Sequence, residues 1–275
     1  MRILFVENFS ESNPEGFVKE IKEMGHLIGK NIVNPDIIFS ASIFKMLESI
    51  QAKANYPEAK LVVYCWDFYK WAWEGKHNLD WKRYAEFLRQ ADKVLVPSEG
   101  QKLRLKEMLD IDSVVCECSV PFYNHFVNDN DYVLDPVRDY PEENLGWVKK
   151  ACEELEIPYI HTEHGYTEAE FRNLVSNCTF MTCGYREAST GGLSLMEGLY
   201  NGKISLVSNS PYMGAKSYLG DLGYYFQYDD YEDLKSMISY LWKNRPTISL
   251  TVAREHCKKF TDKQFALRLL KEYEN

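Results

Sequence analysis

The chain has 275 residues, a formal net charge of −9 and a pI of about 5.3; 45% of its residues are hydrophobic and 27% charged. That length is generous for one domain and comfortable for two, each burying its own core. The acidic balance argues against a general nucleic-acid binder, although basic residues outnumber acidic ones within 45–106 and could face an anionic acceptor. No apolar run is long enough to span a bilayer, and Met1–Glu7 reads as a first β-strand without signal-peptide character. Seven scattered cysteines match neither a zinc spacing nor a disulfide framework, so a reduced, cytoplasmic setting is expected.

In chain order, short β-branched runs alternate with amphipathic stretches, the pattern of βαβ units and parallel sheets. Strands are predicted at Ile3–Val6, Asp36–Phe39, Leu61–Cys65, Lys93–Val96 and Val114–Cys118, with helices near 15–25, 42–54, 80–91 and 98–109. The cycle then restarts: strand Asp131–Asp135, helix 142–155, strand Tyr159–His161, helix 167–176, strand Thr179–Cys183, helix 192–200 and strand Ile204–Ser208. A short strand Tyr224–Phe226 and helices from 231 onward follow. Two doubly wound units joined at a polar Asn128–Asp131 junction predict an α/β protein of two Rossmann-like domains facing a cleft. Ligands bind such sheets beyond the carboxyl ends of the strands.

The most informative segment is Tyr185–Val207: an acidic loop bearing Gly191 and Gly192, a helix opening at those glycines, then Gly202-Lys203 leading into a strand. A helix start offers unpaired N–H groups and positive dipole charge to a phosphate, and the glycines admit it without a Cβ in the way. Glu197, about one turn further in, is placed to accept hydrogen bonds from vicinal hydroxyls such as those of a ribose. Phosphate and ribose together point to a nucleotide.

This segment resembles the signature of retaining GT-B glycosyltransferases, especially glycosyltransferase family 4, in which Glu-Gly-Phe-Gly-Leu-x-x-x-Glu precedes a small-residue helix, a glycine and a strand. Pro35–Phe39, Ala91–Glu99, Tyr140–Leu145 and Gly220–Phe226 resemble further family segments in the right order. The resemblance implies an N-terminal acceptor domain (1–126), a C-terminal donor domain (127–250) and closing helices (251–275) that cross back toward the first domain. It implies a metal-independent, hexosyl-transferring enzyme, needing no cofactor beyond its nucleoside diphosphate sugar.

Residue by residue, the resemblance gives Arg138 and the backbone of Thr190, Gly191, Gly192 and Leu193 to the donor diphosphate, with Gly16 in the first loop, and Glu197 to the ribose. Glu187 would touch the transferred sugar. The family's first glutamate falls on Ser189, so Glu187, two residues earlier, serves only if the loop is longer here. The lysine expected five residues after Arg138 is Glu143, and Trp66-Asp67 stands where the family has a histidine–aspartate pair. Trp66, Asp67 and Tyr69 follow a predicted strand and are assigned to the acceptor, although tryptophan and tyrosine also simply fill cores.

Arg138 has the alternative of a salt bridge with Asp139 or Glu142. Lys203 is expected to be exposed, and Lys216 could supply the charge that Glu143 fails to give. The segment His161-Thr162-Glu163-His164 lacks the helical register of a zinc motif and reads as a structural or substrate contact. No metal site is expected. The acceptor class stays open among glycan, lipid, protein, small molecule and modified nucleic-acid base, as does oligomeric state. The competing readings are a non-catalytic sugar-nucleotide or glycan-binding module on the same scaffold and a nucleotide-sugar epimerase.

Overall fold

A computed structural model describes residues 1–6, 15–41, 45–65, 81–124, 131–136, 146–162, 166–183 and 192–274. The chain forms two compact units, Met1–Ser119 together with Phe260–Asn275, and Val120–Lys259. The first unit is built on β1 (Arg2–Phe5), β2 (Leu27–Gly29), β3 (Ile37–Ser40), β4 (Lys60–Tyr64), β5 (Lys93–Val96) and β6 (Val114–Val115). They form one parallel sheet in the order β2-β1-β3-β4-β5-β6. The connecting helices are α1 (Glu15–Glu23), α2 (Met46–Asn55), α3 (Trp81–Gln90) and α4 (Glu99–Leu109). All four residues of β3 are buried, and all of β4 after Lys60, as expected for parallel strands covered on both faces.

Local chemistry sets the helix ends. Ser98 caps α4 by accepting a hydrogen bond from the Gln101 N–H at 3.1 Å, and the helix stops where Asp110 turns left-handed. Lys106 pairs with both Asp110 (2.7 Å) and Asp112 (3.1 Å), which ties up the carboxylates of that turn. Two expectations need correction here. The sequence reading has no strand at Leu27–Gly29, because three residues on one edge of a sheet carry too little periodicity to register. The strand expected at Val114–Cys118 pairs only over Val114–Val115.

The second unit repeats the scheme with β7 (Val133–Asp135), β8 (Tyr159–His161), β9 (Phe180–Thr182), β10 (Ser205–Ser208) and β11 (Tyr224–Phe226), all parallel, in the order β11-β10-β9-β7-β8. Its helices are α5 (Trp147–Glu154), α6 (Glu168–Asn177), α7 (Leu193–Tyr200), α8 (Ala215–Leu219), α9 (Tyr231–Asn244) and α10 (Leu250–Cys257). Thr167 and Glu170 form a reciprocal capping box at the start of α6, and Asp230 caps α9. Val133, Phe180, Leu206 and Phe226 from the sheet pack with Val148, Ala151, Leu234 and Ile238 to fill one face.

The last helix, α11 (Asp262–Glu274), belongs to the first unit. Its Phe265 meets Phe17 of α1 (5.2 Å between centroids) and Tyr64 of β4 (5.6 Å), while Tyr273 meets Phe39 (5.8 Å). Arg268 donates to the Glu117 carbonyl at 2.7 Å, and Lys93 to that of Glu272 at 2.7 Å. Among the described residues no helix is long and apolar enough to cross a membrane.

Candidate functional site

Numbered within its own unit, the second sheet has the order 2-1-3-4-5. Its connections leave in opposite directions from β7 and β9, and the crevice at such a switch point lies beyond the carboxyl ends of those two strands. β7 ends at Asp135 and β9 at Thr182, both fully buried. In sequence, Arg138 follows the first strand and Glu187, Thr190 and Gly191 the second; these four residues lie outside the described residues. So do Trp66, Asp67 and Tyr69, together with Glu143 and His164.

The residues that are described give the floor of this site. Gly192 is the N-cap of α7, with φ +149° and no side-chain cap. A Cβ added there would stand 3.2 Å from the backbone Cα of Ala215, so glycine lets the start of α7 lie against α8. Replacing Gly192 by Ala is therefore expected to cost about 1–2 kcal/mol from the positive φ and the close backbone. Chemical denaturation measures this directly; an unchanged midpoint would show that the backbone relaxes freely. Leu193 opens the helix, and Leu195, Met196 and Leu199 anchor its other face in the core.

Glu197 projects from the same helix and is half-buried. Desolvation pushes its carboxyl up to about 7; Arg172 opposes the shift and Glu168 adds to it. Arg172 does not neutralise Glu197 fully because it is paired with Glu168 and lies 3.2 Å over the Tyr123 ring. Asn201 ties this corner together, donating to the carbonyls of Glu197 (2.9 Å) and Tyr123 (3.1 Å). The result is a carboxyl group near half-ionisation at neutral pH, one turn inside a glycine-started helix.

Three features were not anticipated from sequence. Asp135 lies beside His161, its register partner on β8, with Nδ1 3.6 Å from Oδ2, and Tyr159 donates to the same oxygen at 3.1 Å. The only sequence signal was an acid ending an otherwise apolar strand. Thr182 Oγ1 is buried without a hydrogen-bond partner among the described residues. Lys203, expected to be exposed, is 3% exposed, because the Gly198–Lys203 turn packs under α7. Lys216 donates to Asn209 Oδ1 at 2.7 Å, next to the Ala215 that touches Gly192, so the second unit brings it to the start of α7. Gly16 sits in the first turn of α1, where a Cβ would collide with the Asp262 carboxylate of α11; close helix packing explains that glycine by itself.

No protein-family model and no curated protein matches the sequence. Solved structures do. Anabaena Alr3699/HepE in complex with UDP-glucose superposes with a TM-score of 0.69 at 11% identity, over 100% of this chain and 99% of that one. Sucrose-phosphate synthase from Thermosynechococcus elongatus gives 0.68 at 13% identity, over 94% and 76%. A glycosyltransferase from Rickettsia africae ESF-5 gives 0.60 at 16%, over 98% and 83%. At such identities the likeness speaks for architecture alone: the chain has the GT-B glycosyltransferase fold, two Rossmann-like α/β domains.

Proposed function

We propose that the chain is a retaining glycosyltransferase that moves a hexosyl group from a nucleoside diphosphate sugar to an acceptor of unassigned class, without a metal. The observation that carries this reading is the placement of a glycine-started helix and Glu197 at the carboxyl edge of a 2-1-3-4-5 sheet. The HepE structure, bound to UDP-glucose, lends support for a sugar nucleotide as the ligand of such a fold.

In this reading the backbone N–H groups of Thr190–Leu193, the α7 dipole and Arg138 stabilise charge building on the leaving diphosphate. Glu197 accepts hydrogen bonds from the ribose hydroxyls, and Glu187 touches the transferred sugar. The bond from the anomeric carbon to the diphosphate oxygen breaks, and the acceptor oxygen forms its bond on the same face. The acceptor's proton passes to the leaving phosphate, so the chemistry needs no separate histidine base. Trp66, Asp67 and Tyr69 are assigned to the acceptor.

The test is incubation with UDP-glucose, GDP-mannose and ADP-glucose, with and without EDTA, following nucleoside diphosphate release and the anomeric configuration of the product. Release or transfer that survives EDTA, with retained configuration, is expected. Saturable binding without turnover would instead make the chain a sugar-nucleotide-binding module.

A further inference from the structure

Glu197 sits in a corner built from three pieces of the second unit: α7 itself, α6 and the stretch around Tyr123. Asn201, one turn beyond Glu197, donates through its amide nitrogen to the carbonyls of both Glu197 (2.9 Å) and Tyr123 (3.1 Å), which fixes that stretch to the helix. Tyr123 in turn seats the Arg172 guanidinium on its ring face, 3.2 Å from the centroid, a contact that orients the cation without neutralising it. Arg172 shares its charge with Glu168, one turn earlier on α6, whose side chain is 68% exposed. An i,i+4 pair open to water on one side is a weak hold. Arg172 Nε is buried with no hydrogen-bond partner among the described residues, so one donor of the guanidinium is unspent inside this corner.

The charges that reach the Glu197 carboxyl are those of Arg172, which favours its ionised form, and Glu168, which opposes it. Other charged groups around α7 are engaged elsewhere. Arg254 of α10 lies over the Tyr200 ring at 5.1 Å, His256 bonds the Tyr218 carbonyl at 2.5 Å, and Lys216 of α8 donates to Asn209 at 2.7 Å. Lys203 is buried in the turn that follows the helix. β9 and β10 carry no charged side chain. A ribose hydroxyl donates more strongly to a carboxylate than to a neutral carboxyl, so the site gains from the charge that Arg172 is placed to favour.

We propose that Arg172, seated on Tyr123 and shared with Glu168, is a positioning residue of the donor site, supplying the positive charge against which Glu197 binds the donor's ribose. The inference rests on the donor-site reading given above. Arg172 touches no ligand in this role and acts through Glu197. Glu168 works against it, drawing off its charge and repelling a second carboxylate. The two members of one ion pair therefore have opposite effects on ligand binding. A pair that merely held α6 together would be missed equally from either side.

The experiment is calorimetric titration of uridine, guanosine and adenosine, and of UDP, GDP and ADP, at pH 6 and pH 9. The proteins are wild type, Arg172→Gln, Arg172→Lys and Glu168→Gln, with Glu197→Ala as the reference for a lost ribose contact. Below about 7 the ionised fraction of Glu197 limits binding. Arg172→Gln should therefore weaken the nucleoside that binds by about tenfold at pH 6 and by less than about twofold at pH 9. Arg172→Lys should restore most of the loss. Glu168→Gln should tighten the same nucleoside by about threefold at pH 6 and leave it within about twofold at pH 9. The matching diphosphate should change by the same factors, because it carries the same ribose. Weakening by Arg172→Gln that is equal at the two pH values, or absent, overturns the inference while leaving the donor site intact. So does a loss confined to the diphosphate, which would mean that Arg172 acts on phosphate. Should Arg172→Gln fail to fold, Glu168→Gln decides alone, and no tightening at pH 6 overturns the inference. If wild type binds none of these ligands, or Glu197→Ala binds them equally well, the donor-site reading fails and this inference fails with it.

Discussion

Replacing Glu197 by Ala is expected to lower nucleoside diphosphate affinity by about 1.5–3 kcal/mol, the scale of hydrogen bonds to a charged group. Because ribose hydroxyls donate to the ionised carboxylate, binding should also tighten as pH rises through the region of 7 to which burial raises this group. Proton release on binding, seen as a dependence of calorimetric heat on buffer ionisation enthalpy, checks that sign. The same group sets a stability trend. Its folded pKa is raised, so the stability associated with it is fully present below about 4.5, falls between 4.5 and 7, and is gone above. Glu197→Gln removes the penalty of holding a charge there. The variant should match wild type near pH 4 and exceed it by up to about 3 kcal/mol near pH 8. Calorimetry showing unchanged nucleotide affinity in the folded Ala variant would remove Glu197 from the site. A stability difference independent of pH would contradict the desolvation argument.

The second large effect is expected at Arg138. Its loss should weaken a nucleoside diphosphate by about 1.5–3 kcal/mol and the nucleoside hardly at all, because the guanidinium forms charge-assisted bonds only with the phosphates. Glu143→Lys should act in the opposite direction, tightening the diphosphate if residue 143 faces the site. Both changes should shrink as salt rises, since they are electrostatic. Equal weakening of nucleoside and diphosphate by Arg138→Ala would mean that residues 138–145 do not line the donor site. Lys216, anchored on Asn209 beside the start of α7, would then be the next cation to remove.

The sequence by itself determined the elements whose signals are local. Lys93–Val96, Tyr159–His161 and Tyr224–Phe226 are strands at the predicted residues, and α4, α6 and α7 begin within one residue of the starts predicted at 98, 167 and 192. Alternating apolar runs and capping residues are written within a few positions of one another, so a linear reading finds them. Glu197 was legible as a site residue for the same reason: it lies one turn inside a glycine-started helix. Its raised pKa was not, because it depends on burial and on Glu168 and Arg172 of a different helix.

What only the tertiary structure decided involves partners distant in sequence. Parallel pairing of β7 with β8 sets Asp135 against His161, a pairing that neither the acid ending one strand nor the histidine-bearing segment 161–164 shows in sequence. Packing beneath α7 buries Lys203, although a lysine after a glycine reads locally as exposed. The approach of α11 to α1 explains Gly16, which in sequence resembles only a loop glycine. Local propensity is fixed by neighbours along the chain, whereas burial and the charges it perturbs depend on which surfaces the sheet order brings together, and that order is a property of the whole fold.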